Sequence, residues 1–86
     1  MNEEEIALRF FTAIDRLKQE NAIRGLKTFC DRYSLNRTRY SRLRFAVENG
    51  VQCGYKSVET SALSALVLDY GISGDWLLTG IGKMVR

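Results

Sequence analysis

Apolar residues recur along the chain at helical spacing, in runs separated by short polar breaks. Ile6, Phe10, Ala13, Ile14 and Leu17 form the first such stripe, which predicts an amphipathic helix fading near Glu20–Asn21. Asn2 stands where a cap is needed and Glu5 where a capping box would place its partner. Glu3, Glu4 and Glu5 together sit at the positive end of the helix dipole. A second helix is predicted over 23–33, with Ile23, Leu26, Phe29, Cys30 and Tyr33 inward, and it breaks at Ser34–Leu35–Asn36. A third follows over 37–48 with Asn36 as its N-cap. Tyr40, Leu43 and Val47 face inward there, and Arg37, Thr38, Arg39, Ser41, Arg42 and Arg44 are left mostly outside. Glu48–Asn49–Gly50 ends it, and Val51 to Lys56 reads as a loop with some extended structure. Ser57 is expected to cap a fourth helix that offers Val58, Ala62, Ala65, Leu66 and Val67 to the core and stops at Gly71. Ser73 caps a short fifth helix with Trp76, Leu77 and Leu78. The tail from Gly80 to Arg86 has too little apolar content to build an element alone. The pattern predicts an all-α fold, a compact bundle of four to five helices forming one domain over 1–86.

Composition agrees with that picture. Eighty-six residues suffice for one small core, 45% hydrophobic content is ordinary for a globule, and proline is absent. Charge adds more. The net +3 is unevenly spread: from Arg24 to Arg44 the chain carries Arg24, Lys27, Arg32, Arg37, Arg39, Arg42 and Arg44 against Asp31 alone, or +6, and the rest is −3. A local cationic patch on a mildly acidic body reads as a docking face for phosphates, or more blandly as a solvated arginine surface or a site for an acidic protein. Two cysteines with no histidine make neither a disulfide framework nor a four-ligand metal site, and Cys30 reads as a small core residue. The acidic N-terminus does not resemble a signal peptide, and no apolar run reaches the ~18 residues of a membrane span. A cytoplasmic protein is expected, without membrane association.

Two helices joined by a turn of about three residues, the second studded with Arg, Thr, Asn and Ser, are what reading of a DNA major groove requires. The groove, ~12 Å wide, admits one helix; arginine can bond guanine in a two-pronged manner, and Asn, Ser and Thr can reach bases or phosphates. Residues 26 to 45 carry the spacing for such a pair: Phe29, Cys30 and Tyr33 inward on the first helix, Leu35 just after the turn, Tyr40 and Leu43 inward on the second. Any helical hairpin in a small bundle can meet those demands.

Two segments carry a likeness to a known family: FCDRYSLNRTRYSRL (Phe29 to Leu43) and DYGISGDWLLTGIGKM (Asp69 to Met84). Over residues 6 to 82 the chain resembles the lambda-repressor-like (Xre) helix-turn-helix family, above all phage-repressor N-terminal domains. There a Tyr-Gly-Ile, a few polar residues, Trp-Leu-Leu-Thr-Gly, a further Gly and Met often recur. Gly71, Ser73 and Trp76 fit a fold-anchoring reading of that segment. The resemblance implies a lambda-repressor-like bundle with its helix-turn-helix unit at about 23–48. It implies sequence-specific binding of double-stranded DNA at a pseudo-palindromic operator, a homodimer, and the role of a transcriptional regulator, a repressor of phage or mobile-element type. Carried over by position, it makes Asn36, Arg37, Thr38, Ser41 and Arg42 base readers. Arg39 and Arg44 become phosphate anchors, supported by Lys27 and Arg24. The chain departs from the family at Cys30, where Ala is favoured, at Ser34, where Gly is usual and a left-handed turn residue is needed, and at Leu26, where a phosphate-contacting Gln is common. The Val47-Glu48-Asn49-Gly50 run arrives about one turn late, so helix three is expected to be extended. Leu77, Leu78, Ile81, Met84 and Val85 form an apolar C-terminal cluster that could serve dimerisation or the core.

The residues offer little to catalysis. Histidine and a glycine-rich phosphate loop are absent, no carboxylate pair is brought together by the pattern, and Gly80-Ile81-Gly82 follows no strand. No enzyme, cofactor, metal or small-molecule ligand is expected. Two alternatives to a specific regulator stay open: a protein-interaction adaptor or antirepressor on the same fold, and a nonspecific nucleic-acid binder.

Overall fold

The computed structural model describes residues 3–52, 54 and 57–86. The expected cap at Asn2, and Cys53, Tyr55 and Lys56 of the expected loop, lie outside the described residues. Five helices follow one another: α1 (Glu3–Gln19), α2 (Leu26–Arg32), α3 (Arg37–Asn49), α4 (Thr60–Tyr70) and α5 (Gly74–Thr79). Among the described residues there is no strand, only one isolated antiparallel bridge between Ile72 and Val85.

The core is aromatic at its centre. Phe10 of α1 meets Phe11, Phe29 and Tyr40 with ring centroids 5.1, 5.7 and 5.9 Å apart, the first two contacts edge-to-face. Around them lie Ala7, Ile14, Leu17, Cys30, Leu35, Leu43, Leu66, Ile72 and Leu77, all buried. The stripe on α1 is broader than its periodicity showed, since Ala7 and Phe11 are buried and Ile6 only half-buried. On α3, Ala46 is buried and Val47 packs against the core from its edge. The Cα radius of gyration, 11.9 Å, is that of a globular chain of this length, roughly 12 Å.

Two expectations need correction. The second helix does not begin at Ile23. Gly25 adopts φ 153°, ψ −172°, a conformation that no helix contains and that essentially only glycine reaches, so the first helical residue is Leu26. The fourth helix is not capped by Ser57. Val58 is buried, and the Glu59 backbone N–H donates to the Tyr40 hydroxyl at 3.2 Å, which keeps Glu59 extended at the N-cap and delays the helix to Thr60. The tail builds no element of its own, as its low apolar content implies, and pairs instead with the connection between α4 and α5. Ser73 N–H donates to the Met84 carbonyl at 2.8 Å and Arg86 N–H to that of Gly71 at 3.0 Å, flanking the Ile72–Val85 bridge. The apolar C-terminal cluster is accordingly divided: Leu77 is buried, Met84 packs on the core, and Leu78, Ile81 and Val85 stay exposed.

The turn between α2 and α3 follows from its sequence. Ser34 takes the left-handed conformation at φ 58°. Its N–H reaches the Asp31 carbonyl at 3.4 Å and that of Leu35 the Cys30 carbonyl at 2.8 Å, the paired bonds of a Schellman ending. Leu35 is thereby tucked against the core. Asn36 then caps α3, its Oδ1 accepting from Arg39 N–H at 2.9 Å.

Candidate nucleic-acid interface

α2 and α3 pack on one another across this four-residue connection, and α3 also packs on α1. With Tyr40, Leu43 and Ala46 buried, the opposite face of α3 is turned outward, and it carries Arg37, Thr38, Ser41, Arg42 and Phe45, all exposed. Lys27 of α2 joins Thr38, Ser41, Arg42 and Phe45 along one shallow groove, which Val51 and Gln52 close from the far side. Five of the nine sequence-derived site residues therefore share one surface: Lys27, Arg37, Thr38, Ser41 and Arg42. Asn36 stands beside it at the head of α3, with its side-chain oxygen committed to the cap.

The remaining cations are placed differently. Arg24 lines another hollow, with Lys18, Arg32 and Tyr70, on the other flank of α2. Arg44 is held within the fold: Nη2 donates to both carboxylate oxygens of Asp15 at 2.6 and 2.7 Å, Nε donates to Glu48 at 2.9 Å, and the guanidinium lies 5.7 Å from the Phe11 ring centroid. Burial opposes its charge, but the bonds from Asp15 and Glu48 outweigh that and raise its pKa above the ordinary value. Arg39 approaches Glu59 at 4.0 Å. Arg37 is gripped by the Asp31 carboxylate through Nε at 2.6 Å and through Nη2. That hydrogen bond holds the Asp31 carboxyl below its usual 3.8.

The +6 of the linear stretch is thus reduced in space, because folding brings Asp15, Glu48 and Glu59 to its arginines alongside Asp31. On the α3 groove itself, among the described residues, Arg42 and Lys27 have no ion pair and no carboxylate stands in the lining. The face is cationic with hydroxyls between the charges. Sequence reasoning missed Phe45 and Val51 on it, although an apolar residue on the polar side of α3, seven after Thr38, was the sign of the first.

Tyr40 anchors the other side of α3. Its hydroxyl donates to Glu59 Oε1 at 3.2 Å, and burial pushes its pKa up to about 12. Burial and then the neighbouring Asp31 raise the pKa of the Cys30 thiol, consistent with an inert core residue. Among the described residues no group of three or more His, Cys, Asp or Glu side chains could hold a metal ion, and no helix is long and apolar enough to cross a membrane.

Comparison with known proteins gives no match: no family model fits the chain, and no curated protein or solved structure is significantly similar to it.

Proposed function

We propose that the chain is a lambda-repressor-like helix-turn-helix domain that binds double-stranded DNA sequence-specifically and regulates transcription, most simply as a repressor. The carrying observation is the outer face of α3. It presents Thr38, Ser41 and Arg42 on a helix fixed to α2 by a tight, capped turn, with Lys27 beside them; among the described residues neither cation has an ion pair and no carboxylate lines the groove. In this reading Arg42, Ser41, Thr38 and the amide of Asn36 meet base edges, and Lys27 meets a phosphate. Arg37 reaches DNA once it exchanges Asp31 for a base or phosphate. Arg24 is a peripheral phosphate contact, and Arg39 acts near the backbone. Arg44 serves chiefly to hold α3 to α1. Two copies would bind a pseudo-palindromic operator, with Leu78, Ile81 and Val85 as exposed apolar positions available to a dimer contact.

The test is selection from a random duplex library at near-physiological salt. The proposal expects a pseudo-palindrome with half-sites about ten base pairs apart. Retention that is weak, steeply salt-dependent and without enriched sequence contradicts it and favours generic phosphate binding.

A further inference from the structure

Among the described aromatic residues Phe45 alone is exposed, with 62% of its surface open to solvent. It does not stand on an apolar patch of its own helix. Thr38 lies three and four residues before Ser41 and Arg42, and Phe45 four and three after them, so the four share one face of α3. Across the groove Val51, itself exposed, supplies a second apolar surface, and Lys27, Arg42 and Gln52 supply polar ones. An occupant of this groove must therefore offer a small apolar group within an otherwise anionic, hydrogen-bonding surface. The floor of the DNA major groove has that character where a thymine 5-methyl projects between phosphate-lined walls. An acidic protein with an apolar knob is the other chemistry that fits, but the hydroxyls of Thr38 and Ser41 in line with Phe45 favour a surface of donors and acceptors at regular spacing.

We infer that Phe45 packs against a thymine methyl and favours a T·A pair at one position of each half-site. This rests on the DNA-binding reading above and adds to it a determinant that hydrogen bonding alone does not supply. In affinity measurements on the selected duplex, each thymine is replaced in turn by deoxyuridine, which removes the methyl and keeps every hydrogen-bonding group.

The expected result is a loss of about fourfold per half-site at one thymine, the worth of one buried methyl, in the wild-type protein. Phe45→Ala should bind thymine and uracil duplexes alike, and Phe45→Leu should retain part of the discrimination. Because Phe45 is exposed, both variants should melt with the parent, which separates lost contact from lost fold. If uracil is accepted at every position by the wild type, or if Phe45→Ala still discriminates, the inference is overturned and the DNA-binding reading stands. If no duplex sequence is enriched in the first place, both fall together.

Discussion

Ser34 holds a left-handed conformation that costs a residue with a Cβ about 1–2 kcal/mol, offset in a glycine variant by the greater freedom of the unfolded chain. Ser34→Gly is accordingly expected to stabilise the domain by about 0.5–1 kcal/mol, raising Tm by several degrees in calorimetry. Asp31 and Arg37 make a second local prediction. The Asp31 pKa is lower in the folded protein than in the unfolded chain, so the pair stabilises the fold above pH 3.8 and that contribution is lost as pH falls through the lower folded value. Arg37→Ala should return the Asp31 pKa toward 3.8, followed by carboxyl chemical shifts against pH. Asp31→Asn frees Arg37 and removes a negative charge beside the proposed interface. It should tighten DNA binding by about fivefold, because one charged donor is released to the nucleic acid. Weaker binding would mean that Asp31 orients Arg37 for DNA rather than withholding it.

Helix order, the inward residues of α2 and the Asn36 cap were legible because each depends on neighbours within one or two turns. Phe29, Cys30, Tyr40 and Leu43 are all buried, and Asn36 caps as its side-chain chemistry dictates. The starts of α2 and α4 were not legible to the residue. One depends on the φ that Gly25 adopts, and the other on a hydroxyl 19 residues away in sequence, that of Tyr40. The outer face of α3 was legible as polar, but the charge available on it was not. Arg44 shows why: read as an arginine on a basic helix it resembles a phosphate anchor, yet Asp15 from α1 occupies its fork. Arg44→Ala should therefore loosen α1 from α3 and cost about 1–2 kcal/mol by denaturant unfolding, a modest value because Asp15 is nearly half exposed. A uniform loss of DNA affinity with a flattened salt slope and unchanged stability would instead restore it to the phosphate contacts.

The molecule closes by tying its beginning and end to one another. Arg9 of α1 donates to the Leu77 and Leu78 carbonyls at 2.8 and 3.0 Å, capping the C-terminal end of α5 with a cation. The tail pairs alongside Gly71–Ser73. These long-range bonds tie α5 to α1 and the tail to the α4–α5 connection. Removal of residues 83–86 should therefore cost more than the roughly 1–2 kcal/mol of two lost backbone hydrogen bonds, because the Met84 contact with the core and the Arg86 side-chain bond to the Val67 carbonyl go with them. The proposed DNA recognition should survive at temperatures where the shortened protein stays folded, because the groove is lined by residues of α2, α3 and the segment after α3. Base reading by this face, as proposed, concentrates on Arg42, exposed and without an ion pair among the described residues. The most direct measurement repeats the duplex selection with Arg42→Ala beside the parent. A preference lost at one base pair per half-site, with the rest of the motif retained and affinity down by about 1–3 kcal/mol, is the predicted result. An identical motif from both proteins would contradict the placement of α3 in the groove.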